Sequence, residues 1–93
     1  VLESVKLALR ITNKAYDSEV VDLIAGARTD LIQAGVSSVK ANSDDPLINR
    51  AITTYCKANF GMNNPDAERF MQSYEMLKQH LSLAGDYNGN SLE

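Results

Sequence analysis

Residues 45–83 read DPLINRAITTYCKANFGMNNPDAERFMQSYEMLKQHLSL, and this stretch decides the fold, because it holds two helix starts, two helix stops and two apolar stripes in one run. Asp45 followed by Pro46 has the form of an N-cap and a first-turn proline: the carboxylate can accept from a free N–H, and proline gives up a donor that the helix would not use. Ile48, Ala51, Ile52, Tyr55 and Cys56 then recur at helical spacing on one face. Gly61 follows Phe60 where the pattern stops, and a glycine can take the left-handed conformation that ends a helix. Asn64-Pro65 repeats the starting device, with Asp66 and Glu68 placed where the helix dipole favours negative charge. The second stripe is Ala67, Phe70, Met71, Tyr74, Leu77 and Leu81, closing at Gly85. Two amphipathic helices joined by a short turn are expected to fold back antiparallel and bury their stripes against each other.

Working outward, Leu2, Val5, Ala8 and Leu9 mark a short first helix that ends where β-branched Ile11 and Thr12 lower the propensity. Asp17, or Thr12 for an alternative boundary, caps a longer second helix that runs to Ala34 and stops at Gly35. Its stripe is Val20, Ile24, Ala27 and Leu31, widened by Val21, Leu23 and Ile32, with Glu19, Asp22, Arg28, Asp30 and Gln33 facing out. Residues 36–44, VSSVKANSD, have no helical period and form a loop long enough to raise the odds of a contact role; Val36 to Val39 is the sole candidate for extended pairing. The expectation is an all-α chain of four helices, at about residues 2–10, 17–34, 46–60 and 65–84, forming one domain over 1–85. Residues 86–93 read as an extended or mobile tail whose Leu92-Glu93 resembles a cloning scar.

The formal charge of −3 over 93 residues withholds the phosphate attraction that drives nucleic-acid binding, and the nine Lys and Arg residues are scattered rather than clustered. A lone Cys56 on an apolar face is a packed thiol and leaves no disulfide possible within the chain, which fits a reducing compartment. No charged-then-apolar leader and no apolar run near the roughly 18 residues that span a bilayer is present. His80, the one histidine, has no ligand-spaced companion and is expected on an exposed or boundary face; the carboxylates Asp17, Asp45, Asp66 and Glu68 are better explained as helix-start devices than as an acid/base pair. Neither an enzyme nor a cofactor or metal site is expected. Tyr55, Phe60, Phe70 and Tyr74 are expected in the core, with Phe70→Ala costing about 3 to 5 kcal/mol. Met76, Leu83 and Tyr87 fall off the stripes and are candidates for an apolar patch that takes a second subunit.

The ordered set Asp45-Pro46-Leu47, Arg50-Ala51, Lys57, Phe60-Gly61, Asn64-Pro65, Glu68-Arg69-Phe70, Ser73-Tyr74, Leu77-Lys78 and Leu81-Ser82-Leu83 resembles the small all-helical head-tail connector proteins of tailed bacteriophages, also labelled DNA-packaging proteins in prophages. The front half, LESVKLALRIT then YDSEVVDLIAGARTDLI, is similar too. The resemblance implies an adaptor without catalytic residues, assembled in the host cytoplasm and resident in the virion. It would form a ring, typically twelvefold, beneath the portal protein and provide the surface on which the next connector or the tail docks, with duplex DNA passing through unbound. It implies portal or subunit contact for Leu83 to Asn88, which makes Leu83, Asp86 and Tyr87 candidates beside the off-stripe Met76. It also implies that the loop faces the channel or a neighbour, hence Val36, Ser37, Ser38, Val39, Lys40 and Asn42. A helix-turn-helix regulator is the first rival, but Arg69, Lys78 and His80 stand beside Asp66, Glu68 and Glu75 and make a poor surface for phosphates. A generic helical interaction module is the second.

Overall fold

Asp45 does what its position beside a proline requires. In the computed structural model, which describes residues 1–61 and 64–89, its Oδ2 accepts from the backbone N–H of Leu47 at 2.9 Å and of Ile48 at 3.2 Å, and Pro46 opens the helix. All regular structure among the described residues is helical: α1 Leu2–Leu9, a 3-10 turn Lys14–Tyr16, α2 Asp17–Ala34, α3 Ser38–Ala41, α4 Pro46–Asn59, α5 Ala67–Leu83 and α6 Gly85–Asn88. The expected third and fourth helices are α4 and α5; α3 and α6 are single turns that the sequence pattern does not announce.

The core is built from the expected stripes. Val20, Ile24, Ala27 and Leu31 of α2 are buried against Ile48, Ala51, Ile52 and Cys56 of α4, with Val5 of α1 and Tyr74 and Leu81 of α5 closing the cluster. Gly26 lets α2 and α4 approach: a Cβ there would stand 3.2 Å from the Tyr55 hydroxyl. The Tyr55 and Tyr74 rings meet edge to face at 5.1 Å, so the α4–α5 hairpin and α2 share one aromatic joint. The molecule measures 44 × 24 × 18 Å, an elongated wedge.

Two helices end in the same hydrogen-bond pattern. Gly35, at φ 117°, donates to the Ile32 carbonyl while Val36 donates to Leu31; Arg10, at φ 60°, donates to Leu7 while Ile11 donates to Lys6. Both are the doubled C-terminal bonds that satisfy a helix's last carbonyls. Arg10 makes this turn without the conformational freedom that glycine gives Gly35.

Several expectations are corrected. α5 begins at Ala67 rather than Pro65, because Asn64 Oδ1 accepts from the Asp66 N–H at 3.2 Å and holds the chain in a turn first. Gly85 does not stop α5: the break falls at Ala84, whose extended backbone redirects the chain into α6, and the left-handed glycine is Gly89. Residues 85–88 are therefore helical rather than extended; residues 90–93, with the suspected scar, lie outside the described residues. Asp17 is the first residue of α2 rather than its N-cap, which is Tyr16, and its carboxylate meets Lys6 at 2.6 Å, a pair that lets a lysine only 6% exposed sit against the core. Residues 36–39 pair with no strand, because Ser37 caps α3 by accepting from the Lys40 N–H at 3.2 Å. Phe70 is only half-buried and lies outside the core cluster, while Val21 and Ile32 are exposed.

Candidate functional site

The loop after α2 and the segment after α5, given separate roles by the sequence, lie against each other. Val36, 2% exposed, is drawn inward by the bonds that end α2, and Ala41 is buried beside it. The Arg28 guanidinium donates to the Ala41 carbonyl at 2.5 Å and fastens α3 to α2. From the other side, the Ser37 N–H donates to the Tyr87 carbonyl at 2.7 Å, Lys40 Nζ lies 5.2 Å from the centre of the Tyr87 ring, and the Tyr87 hydroxyl donates to Asp45 Oδ2 at 3.0 Å. Asp45 thus caps α4 and anchors α6 with one carboxylate. Burial works against its charge, but the bonds from Tyr87, Ile48 and Leu47 outweigh it and hold the carboxyl below its usual 3.8. Burial and the same carboxylate push the Tyr87 phenol up.

A second feature is an open groove of about 880 Å³ between the outer faces of α4 and α5, reached by Ser4 of α1. Phe70, Leu77 and Met76 supply its apolar side, and Asn49, Thr53, Thr54 and Ser73 its polar lining. Thr53 and Thr54 turn their hydroxyls back onto the carbonyls of Asn49 and Arg50. Its charged groups are Arg50 and Lys57, with His80 beside them, and no carboxylate is among the described residues that line it. Lys57 Nζ lies 5.5 Å from the centre of the Phe70 ring.

The buried polar groups serve cohesion. Tyr74 donates to Asp30 Oδ2 at 2.5 Å, Lys78 reaches the same oxygen at 3.1 Å, and Lys78 also pairs with Glu75 at 2.9 Å. Asp30, expected to face out, therefore ties α2 to α5. Burial opposes its ionisation, but the Tyr74 and Lys78 bonds prevail and lower it, while burial and Asp30 raise the Tyr74 phenol. Burial also pushes the Cys56 thiol up to about 11, far from a nucleophile's range. His80 stands exposed at the groove rim. No group of three or more His, Cys, Asp or Glu close enough to hold a metal ion is found among the described residues, and no described helix is long and apolar enough to cross a membrane.

The described residues thus form a wedge with two surface features and no convergent reactive set. A family model for phage connector proteins matches residues 1–88.

The chain belongs to the phage connector protein family.

That family is a structural one, whose members act as connectors in the virion and contact other head and tail proteins. No curated protein and no solved structure matched.

On this connector the sequence-named residues divide. Met76 and Leu83, 73% and 75% exposed, lie seven residues apart on α5 and so share its outer face. Asp86 is exposed at the start of α6. Tyr87 is not part of an exposed patch, since its hydroxyl, carbonyl and ring are all engaged inside the molecule. Val36 is likewise removed from the channel-facing set by burial. Ser37 is the α3 cap and Lys40 covers Tyr87, which leaves Ser38, Asn42 and Val39, itself 79% exposed, as the outward members. Asn42 still bonds inward through Nδ2 to the Ser38 carbonyl at 2.8 Å. Sequence reasoning misses the groove residues Arg50, Lys57 and Phe70 as a surface. The spacing of Arg50 and Lys57, seven apart on the polar face of α4, is the signal that could find it.

Proposed function

We propose that this connector is a head-tail connector subunit that forms a ring beneath the portal of a phage or prophage capsid, helps retain the packaged DNA and supports tail attachment. The match of the connector family model over residues 1–88 carries this reading. Met76, Leu83 and Asp86 are the contacts assigned to the portal or neighbouring subunits, and Ser38, Val39 and Asn42 those assigned to the channel or a neighbour. Charge is consistent with the role: twelve copies at −3 each would carry about −36, and a negative lumen lets duplex phosphates pass without gripping them. Subunits around a ring make head-to-tail contacts, so each needs two different complementary surfaces rather than one that matches itself. Assembly takes place in the host cytoplasm on the portal as template, with the isolated chain monomeric at low concentration.

Sedimentation of the purified chain with assembled portal rings tests the reading. Co-migration of several copies per portal ring, lost when Leu83→Glu and Asp86→Lys are combined, is expected. A chain that forms a tight symmetric dimer and ignores the portal would refute it.

A further inference from the structure

One face of this molecule carries what its opposite face lacks. α4 and α5 turn Tyr55, Tyr74 and Lys78 toward α2, and the groove runs along their other flank, where Arg50 and Lys57 have no ion-pair partner among the described residues. On α2, Val21 and Ile32 are 47% and 39% exposed and share a stripe with exposed Ala25, about a quarter turn or more from the buried stripe. Asp22 borders that stripe and Glu19 lies a turn below, both exposed and outside any ion pair among the described residues. The one cation of α2, Arg28, falls on this same stripe between Ala25 and Ile32, but its guanidinium is held on the Ala41 carbonyl of α3. Helical rise makes the stripe from Val21 to Ile32 about 16 Å long, and the α5 wall from Phe70 to His80 about 15 Å. Charge, apolarity and length therefore match between two different surfaces of one chain.

We propose that the α4–α5 groove takes the Val21–Ala25–Ile32 face of α2 from a second copy, with Asp22 of one subunit set against Arg50 and Lys57 of the next. This rests on the ring reading above and names the joint for it: the two surfaces differ, so the contact is head-to-tail and leaves a joined pair with one free groove and one free α2 face, from which a ring can grow and close. The apolar stripe supplies contact area, and the charges fix direction by disfavouring groove against groove and α2 against α2.

The test uses two variants of the full chain that each add one thiol, Ala25→Cys on the α2 face and Thr54→Cys in the groove, mixed at high concentration with and without portal rings under mild oxidation. Native Cys56 is buried and stays out of the reaction. The expected product is the mixed disulfide, in excess over either like pair. Reversing the groove charges (Arg50→Glu with Lys57→Glu) should cut it about tenfold, and adding Asp22→Lys to the other variant should restore it to within about threefold. Circular dichroism checks that each variant remains helical. Rings seen by electron microscopy without the mixed disulfide would overturn this pairing and leave the ring reading standing. A closed dimer in which two copies of the Ala25→Cys variant link only to each other would overturn both. Low-salt anisotropy showing duplex DNA bound through Arg50 and Lys57 would give the groove to nucleic acid and likewise overturn the proposal.

Discussion

Tyr74→Phe removes one oxygen from the joint between α5 and α2 and leaves the packed ring in place. The lost bond runs 2.5 Å to a carboxylate that also receives Lys78, so Asp30 keeps one cationic partner. Bonds to charged groups contribute about 1.5 to 3 kcal/mol, and the part-exposure of Asp30 together with its surviving partner places the expected loss at about 1 to 2 kcal/mol. For a chain of this size that is a fall in Tm of roughly 5 to 12 °C. Urea denaturation at several pH values is the assay. Asp30 is depressed in the fold, so its contribution is present above its unfolded value of 3.8 and is lost as pH falls through the folded value; the gap between parent and variant should narrow there. Tyr74 is raised, so its contribution is present below about pH 10 and fades as pH rises beyond it, a fall the phenylalanine variant should not show. Equal midpoints for parent and variant at pH 7 would refute the claim that this bond holds the helices together.

Asp45→Ala removes the α4 cap and the Tyr87 anchor at once and should cost about 1 to 2 kcal/mol in denaturant melts, with faster amide exchange in residues 85–88. Phe70→Ala should cost about 1 kcal/mol, not the 3 to 5 expected of a core ring, because the side chain already faces the groove; a loss above about 3 kcal/mol in the same melts would restore it to the core. Cys56, shut in and pushed up to about 11, should react with iodoacetamide at pH 8 only as fast as the chain opens, and rapid labelling of the native protein followed by mass spectrometry would contradict its burial.

The parts of the fold legible in the sequence are those governed by local chemistry or by long periods. Asp45-Pro46 starts a helix because the cap needs nothing beyond three residues, and the α2 stripe of Val20, Ile24, Ala27 and Leu31 spans enough turns to declare its buried face. α3 and α6 are illegible because four residues make no period; they are held by distant partners, Arg28 for one and Ser37 and Asp45 for the other. Phe70 and Asp30 depart from their expected places for one reason. α5 packs on α4 and α2 along its middle, which covers Tyr74 and draws Asp30 inward, whereas Phe70 lies on the groove flank, half-buried beneath the Lys57 and Arg69 side chains. The exposed residues Met76 and Leu83, proposed as contacts, can be named as off-stripe apolars, whereas only tertiary bonds distinguish Tyr87 and Val36 from them. The groove depends on how two helices sit side by side, which no single stripe reveals.

If this wedge works beside copies of itself under a portal, the chain mixed with portal rings should show it, and electron microscopy of that mixture is the most direct test. The expected result is a closed ring of connector subunits on one end of the portal, in head-to-tail order; portal rings that stay bare, or a decoration of isolated two-fold dimers, would contradict it.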